Sequence, residues 1–236
     1  MLDHSHPQIT VAVLLLLTFA ATLLAQARSL PAQNVAMIAA LIMLISGVIQ
    51  TIGVKTGVPF GRYFYTESMG PELFHLLPWP VPLLWVVIVL NSRGVTRLIL
   101  RPWRTIPNYG YWSIGLTCFL AVLFDASLEP FASRANHFWI WQTPRNVPAW
   151  YGAPWVNFAS WGAATLLILG ITTPWLINKK PAGEVPPDYW PLVIWLFLML
   201  ILVIGSAIHE LWRAAEFGLM TSIMVSVAAW RNSRLS

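Results

Sequence analysis

Long apolar segments alternate with short polar connections along the whole of this 236-residue chain. The segments approach the roughly 20 residues that an α-helix needs to cross a lipid bilayer. Seven are predicted, over residues 9–26, 34–52, 79–100, 108–128, 153–177, 190–208 and 213–230. No repeat or low-complexity stretch divides them, so residues 1–236 are predicted to form a single transmembrane helical domain. The expected fold class is all-α, a polytopic transmembrane helical bundle of about seven transmembrane helices.

Local signals mark two helix boundaries. Asn34 opens the second apolar segment and is predicted to be its N-cap, because an Asn side chain accepts from the free N–H groups of a first turn. Pro130 follows the fourth segment, and a proline disfavours helical backbone at the residue before it. The fourth helix is therefore predicted to end at Pro130.

Two connections are too polar to cross a membrane and too long to be simple turns. Residues 53–77 contain Gly57, Gly61 and Gly70, which permit tight backbone turns. Residues 129–152 are rich in tryptophan and proline. With seven spans both connections lie at the same end of the bundle, and we predict that they pack together there.

The composition supports a membrane protein, since 57% of residues are hydrophobic and only 10% are charged, against about 25% in soluble domains. The net charge of +5 comes from Lys and Arg residues spread through short connections, which indicates topology signals and predicts no nucleic-acid partner. Cys118 is the only cysteine and excludes a disulfide framework. No spacing of His, Cys or acidic residues indicates a metal site.

The distribution of cations predicts the orientation of the bundle. One side receives nine, which are Arg28, Arg93, Arg97, Arg101, Arg104, Lys179, Lys180, Arg231 and Arg234. The other side receives five, which are Lys55, Arg62, Arg134, Arg145 and Arg213. Cytoplasmic loops carry the excess of Lys and Arg, so the N-terminus is predicted outside and the C-terminus in the cytoplasm of a bacterial or archaeal cell. Residues 93, 97, 101 and 104 are predicted to share one helix face at the membrane surface.

Asp125 and Glu129 are the acids most suggestive of chemistry. Their spacing of four places both carboxylates on one helix face, where ionisable groups are costly unless they pair or line a wet cavity. The alternative is an ordinary helix end with both acids in water. Glu210, at the end of the sixth span, is a reserve candidate whose alternative is a local pair with Arg213.

An acid pair beside aromatic residues can add water to an alkene. A protonated acid donates to the double bond, and the faces of Trp and Tyr stabilise the resulting tertiary carbocation by roughly 0.5–2 kcal/mol each. The second carboxylate orients or deprotonates water. Asp125 lies one turn deeper and is predicted to be the proton donor, whereas Glu129 beside Pro130 is predicted to meet water and act as the base.

Six further residues are predicted to bind the substrate. Tyr63 and Tyr65 share one side if their segment is extended, and Trp139 and Trp141 form another wall. Asn157 and Trp161 are four apart and share a face of the fifth span, although plain helix packing is an equal alternative for Trp161. These are the predicted substrate-binding residues: Tyr63, Tyr65, Trp139, Trp141, Asn157 and Trp161.

Four motifs occur in a characteristic order: residues 57–65 with Gly70-Pro71, residues 125–130, residues 139–141, and residues 151–154 leading to Asn157 and Trp161. Over about residues 45–215 the chain resembles the integral-membrane carotenoid hydratase family of carotenoid biosynthesis. The resemblance implies cofactor-free addition of water to the terminal isoprenoid double bond of an acyclic carotenoid, with the bilayer as the medium. Ala159-Ser160 departs from the family pattern, in which a glycine stands next to the tryptophan.

Two other functions use the same features. A carotenoid cyclase or isomerase would share the protonation step, and the mass of the product distinguishes it from a hydratase. A non-enzymatic membrane lipid carrier is the third reading, although transporters often have broken helices at the bilayer midplane and inverted repeats, which this chain does not indicate. The identity of the carotenoid and the oligomeric state stay open.

Overall fold

The computed structural model describes residues 7–177 and 186–234. Its seven α-helices are α1 Pro7–Ala27, α2 Ala32–Thr56, α3 Pro80–Ile99, α4 Tyr109–Pro130, α5 Trp155–Leu176, α6 Trp190–Ile208 and α7 Trp212–Ser233. The predicted all-α helical bundle is confirmed. Lys179 and Lys180, in the connection between the fifth and sixth predicted segments, lie outside the described residues.

Six of the helices in the described ranges, α1 to α6, are long and apolar enough to cross a membrane. α3 is the central helix, since it contacts α1, α2, α4, α6 and α7 and buries an almost continuous run from Trp85 to Ser92. The outer helices instead expose large apolar side chains, such as Leu17 and Leu24. An apolar exterior around a packed interior is the arrangement that lipid tails require.

α7 is less apolar than the other six helices and is not among those six. Its 22 residues extend about 33 Å at 1.5 Å per residue, which is enough to cross a bilayer. Buried residues at Ala214, Gly218, Thr221, Val225 and Ala229 recur at helical spacing, and α7 packs against α6, α3 and α4. The helix predicted at 213–230 is confirmed as a helix, and its crossing of the membrane stays a prediction.

The two long connections meet in a short antiparallel ribbon. The strands of this ribbon are β1 Tyr63–Tyr65 and β4 Trp139–Trp141. Two shorter pairs lie outside it: β2 Glu72–Leu73 with β3 Leu77–Pro78, and β5 Ala149–Trp150 with β6 Ala153–Pro154. Further bonds extend the ribbon at both ends, from the Thr66 amide to the Phe138 carbonyl and from the Gln142 amide to the Arg62 carbonyl. The predicted packing of residues 53–77 against residues 129–152 is confirmed.

The α-helix α4 ends at Pro130 as predicted, but the chain does not leave helical backbone there. Helical backbone continues as a π-helix over Phe131–Ala135, in which the Asn136 amide donates to the Phe131 carbonyl five residues earlier. Proline has no N–H to give to the carbonyl four residues before it, which is that of Ala126. The indole Nε1 of Trp150 donates to this carbonyl instead, at 2.9 Å. A tryptophan from the following connection therefore replaces the missing backbone bond.

Two further predictions of local structure were wrong. Pro31, not Asn34, precedes the first turn of α2, and the Asn34 side chain donates to the Trp175 carbonyl at the end of α5. The four arginines do not share one helix face, because α3 ends at Ile99. Arg93 is partly buried and donates to the Leu176 carbonyl at 2.9 Å, which satisfies a free carbonyl at the C-terminus of α5.

The predicted orientation can be tested by labelling single cysteines in whole cells and in inverted vesicles, in a Cys118→Ser background. Arg62 lies in the connection before α3 and Arg104 in the connection after it, and both side chains are exposed. We expect Arg62→Cys to react with an impermeant maleimide from outside and Arg104→Cys from the cytoplasm. Arg145→Cys, in the second long connection, is the control and should follow Arg62→Cys. Labelling of positions 62 and 104 from the same side would contradict this topology.

Candidate functional site

A small cavity of about 30 Å³ lies where the ribbon covers the ends of the helices. This is enough room for one or two water molecules, since one needs about 10–15 Å³ by the same measure. Side chains from α2, α3, α4, α5, the ribbon and the loop before it line the cavity: Gln50, Phe60, Tyr63, Tyr65, Val81, Leu84, Trp85, Asp125, Glu129, Trp139, Trp141, Asn157 and Trp161. Two carboxylates therefore share a mostly aromatic pocket.

Asp125 and Glu129 lie one turn apart on α4 and are both buried, with 0% and 2% of their surfaces exposed. The expectation that Glu129 meets water at a helix end was wrong, because the helix continues past Pro130 and the ribbon covers the carboxylate. None of the described residues that line the cavity is Lys, Arg or His. The pair is therefore held by neutral hydrogen-bond donors.

Asn157 joins the two acids. Its side-chain nitrogen Nδ2 donates to Oδ2 of Asp125 at 2.9 Å and lies 3.5 Å from Oε1 of Glu129. The indole nitrogens of Trp139 and Trp141 donate to Oε2 of Glu129 at 3.1 and 2.9 Å. Within the described residues every donor to the Glu129 carboxylate is an N–H group, which is the surrounding that suits an ionised carboxylate, since that form only accepts.

The second oxygen of Asp125 is different. Oδ1 is buried and has no hydrogen-bond partner within the described residues. A buried polar atom without a partner is costly and is rare in folded proteins. Because Asp125 lines the cavity, this oxygen is available to a water molecule or a ligand there.

The ribbon supplies four aromatic side chains to one face. Alternate residues of a strand point to the same side, and Tyr63 pairs with Trp141 while Tyr65 pairs with Trp139. The rings contact one another, with centroids of Tyr63 and Trp141 5.0 Å apart. Phe64, on the opposite face, is 42% exposed. The expectation that Tyr63 and Tyr65 share one side of an extended segment is confirmed.

Five residues that line the cavity were not predicted from the sequence: Gln50, Phe60, Val81, Leu84 and Trp85. Two of them make specific contacts with predicted site residues. Gln50, near the end of α2, accepts from the hydroxyl of Tyr63 at 2.5 Å and from that of Tyr65 at 3.2 Å. Trp85 of α3 stacks on Trp161 with centroids 3.8 Å apart and an angle of 8°. An amide within an apolar segment was a signal that could have identified Gln50, whereas nothing in the sequence distinguished Trp85 from the other tryptophans.

Trp161 both packs in the bundle and lines the cavity, and its role in substrate binding stays a prediction. Only 5% of its surface is exposed, and one ring face is covered by Trp85. Asn157, one turn earlier on α5, faces the same cavity. The shared helix face that was expected for Asn157 and Trp161 is therefore present.

Glu210 is not near the acid pair. It is exposed and lies with Trp150, Tyr151 and Arg213 around a separate open cleft at the same end of the bundle. The other acids and histidines of the two long connections and of the α6 terminus are also exposed, namely Glu67, Glu72, His75, His137 and His209. Of the three acids predicted as catalytic, the structure brings two together.

The loop before the ribbon is fixed against the start of α5. Gly61 has a φ of +106°, and a Cβ there would lie 2.7 Å from the ring of Pro154, so this position requires glycine. Ser160, where the family resemblance predicts a glycine, has its hydroxyl 2.8 Å from the Pro59 carbonyl. The same hydroxyl lies 2.7 Å from the Val156 carbonyl of its own helix, so its single hydrogen is shared between that carbonyl and the contact with the loop before Tyr63.

Residues 10–225 match the protein family described as carotenoid biosynthesis protein. Over 118 residues the chain is 32% identical to bisanhydrobacterioruberin hydratase of Haloarcula japonica. That alignment covers 50% of this chain and 38% of the relative, so the chain matches less than half of that protein's length. No solved structure matches the chain.

Proposed function

Because the chain belongs to the carotenoid biosynthesis protein family, we propose that it is a hydratase that adds water to the terminal isoprenoid double bond of an acyclic carotenoid. The name of the archaeal relative supports the reaction class. The observation that carries the proposal is the buried acid pair, which Asn157 joins in a small aromatic cavity. The reaction uses these side chains and water alone.

Asp125 is the proton donor. A proton on the otherwise unpartnered Oδ1 points to the cavity, while Oδ2 stays fixed by Asn157. The proton passes to the CH carbon of the terminal (CH3)2C=CH group, where the π electrons form the new C–H bond. The positive charge then lies on the carbon that bears the two methyl groups, and Asp125 is left as a carboxylate.

Aromatic faces stabilise this cation. The aromatic side of the ribbon, formed by Tyr63, Tyr65, Trp139 and Trp141, lines the cavity together with Trp161 of α5. Each ring contributes roughly 0.5–2 kcal/mol to a cation near its face, with the larger values where water is excluded. The two carboxylates add electrostatic stabilisation in a site that lacks a competing positive side chain among its described lining residues.

Glu129 is the base that completes hydration. A water molecule in the cavity attacks the cation and forms the C–O bond, and Glu129 takes one of its protons. The product is a tertiary alcohol, heavier than the substrate by one water. Transfer of that proton from Glu129 to Asp125 through water restores the starting state. The indole N–H groups of Trp139 and Trp141 hold Glu129 in place during both steps.

Only the end group of the polyene enters the cavity. A space of about 30 Å³ holds water but not a branched carbon chain, so the walls separate when substrate binds. The lining residues that are partly exposed are Tyr65, Leu84 and Trp141, and the others are buried. The end group enters past these three side chains, while the remainder of the chain stays in the bilayer, which is the partner medium for such a substrate.

The proposal is tested by incubating the purified protein in lipid vesicles with lycopene in water enriched in ¹⁸O. We expect a product heavier by one water that carries the heavy isotope in a hydroxyl group at one end. Vesicles without protein are the control. A product of unchanged mass would indicate a cyclase or an isomerase instead, and binding of lycopene without any product would indicate a carrier.

A further inference from the structure

Gln50 is a buried amide in a membrane-spanning helix, with 5% of its surface exposed. Polar groups in such positions are costly and usually have a functional role. Its side-chain oxygen accepts two hydrogen bonds, from Tyr63 at 2.5 Å and from Tyr65 at 3.2 Å. All three residues line the cavity that contains Asp125 and Glu129.

This arrangement fixes the direction of both tyrosine hydroxyls. Each hydroxyl has one hydrogen, and Gln50 accepts both of them. Burial raises the pKa of Tyr63 and of Tyr65 above the usual range, so both phenols keep their hydrogens at neutral pH. Towards the cavity the two phenol oxygens therefore offer lone pairs and act as acceptors.

A water molecule that attacks a carbocation needs acceptors on its far side. Its oxygen must direct a lone pair at the cation, so both of its hydrogens must point away and be accepted by other groups. Glu129 accepts one of them as the base. A hydroxyl that donated its hydrogen to the water would instead occupy one of the two lone pairs of the water oxygen and make that oxygen a weaker nucleophile.

We propose that Gln50 is a positioning residue for the water: by accepting both phenol hydrogens it makes a tyrosine oxygen the second acceptor for the attacking water, alongside Glu129. This inference rests on the proposed hydration. The inference assigns the residues to two different steps. Asp125 forms the cation, whereas Gln50 acts through the two tyrosines in the later step, in which water attacks the cation.

Deuterium oxide distinguishes the two steps. In deuterium oxide Asp125 transfers a deuteron to the CH carbon of the terminal double bond. If it then removes a proton from that carbon, the double bond forms again and the recovered carotenoid carries deuterium there. Exchange therefore reports formation of the cation, and the alcohol reports its capture by water. For Gln50→Leu we expect alcohol formation to fall about tenfold, the effect of one lost hydrogen bond in the transition state, with exchange within about twofold of the wild type.

Two comparisons show that a loss is not merely structural. Ser46→Ala changes a buried polar residue one turn earlier on α2 that does not line the cavity, and should leave both rates unchanged. The double variant Tyr63→Phe, Tyr65→Phe removes the acceptors themselves and should give the same separation of rates. Adding Gln50→Leu to that double variant should then have no further effect on alcohol formation, because Gln50 acts through the two hydroxyls.

Two results for Gln50→Leu would overturn the inference. Equal loss of exchange and alcohol in Gln50→Leu would mean that Gln50 supports the fold of the site and not the water. An unchanged rate of alcohol formation would mean that the water is oriented without it. If Gln50→Leu does not fold, the rates of deuterium exchange and alcohol formation in the Tyr63→Phe, Tyr65→Phe variant test the inference instead, and equal loss of both rates there would overturn it. Absence of both exchange and alcohol in the wild type would instead refute the proposed hydration itself.

Discussion

Asp125→Asn is expected to lower the turnover of hydration by about 100-fold or more, while the affinity for the carotenoid changes little. An amide has nearly the shape of the acid and can still accept from Asn157, so the contact at 2.9 Å is retained. It cannot release a proton to an alkene. The variant loses the step that forms the cation, and therefore both alcohol formation and deuterium exchange should disappear together.

Ser127→Ala is the matched control for Asp125→Asn. Ser127 is also a buried polar residue of α4, two positions further on, and its hydroxyl bonds to the Leu123 carbonyl outside the cavity. We expect this variant to retain wild-type turnover. Rates are measured in lipid vesicles at saturating lycopene, with thermal unfolding as the test of the fold. Hydration by Asp125→Asn at a rate near that of the wild type would exclude Asp125 as the donor.

The helices could be predicted because a membrane imposes both length and apolarity on them. The predicted segment 190–208 agrees with α6 at both ends, and the other six differ by a few residues. The convergence of the two long connections followed from the number of spans between them. Their pairing as a ribbon did not, because three-residue strands such as Tyr63–Tyr65 have too little pattern to indicate a partner.

The acid pair could be found from its spacing on one helix face, but its surroundings could not. Pro130 pointed to a helix end and hence to a wet Glu129. The sequence does not reveal that Trp150, 20 residues later, supplies the hydrogen bond that the proline lacks. The contact between distant segments therefore outweighs the local preference of proline for the end of a helix.

The roles assigned to the two acids rest on a different reason in the structure than in the sequence. The extent of burial does not distinguish the two acids, since both side chains are almost fully buried. Their partners do, because Glu129 accepts from two indole N–H groups while one oxygen of Asp125 has no partner among the described residues. Several N–H donors stabilise the ionised form of Glu129, which suits it to act as the base, whereas Asp125 has one such donor and a free oxygen that can carry a proton.

Glu129→Gln is expected to lower hydration by about 100-fold or more as well, but with a different pattern. Its amide oxygen can still accept from Trp139 and Trp141, so the walls of the cavity are kept. The neutral amide cannot take a proton from water, and its NH2 group faces the Asn157 donor where Oε1 now accepts. Asp125 still forms the cation, so deuterium exchange into the recovered carotenoid should continue while the alcohol is lost.

Glu216→Gln is the control for Glu129→Gln, because it makes the same substitution at an exposed position of α7 and should leave both rates unchanged. The rates of exchange and of alcohol formation are compared in one incubation in deuterium oxide. Loss of exchange in Glu129→Gln would contradict the assignment, since it would mean that Glu129 takes part in forming the cation. Unchanged alcohol formation would mean that another group is the base. Only exchange without hydration fits a base that acts after the proton donor.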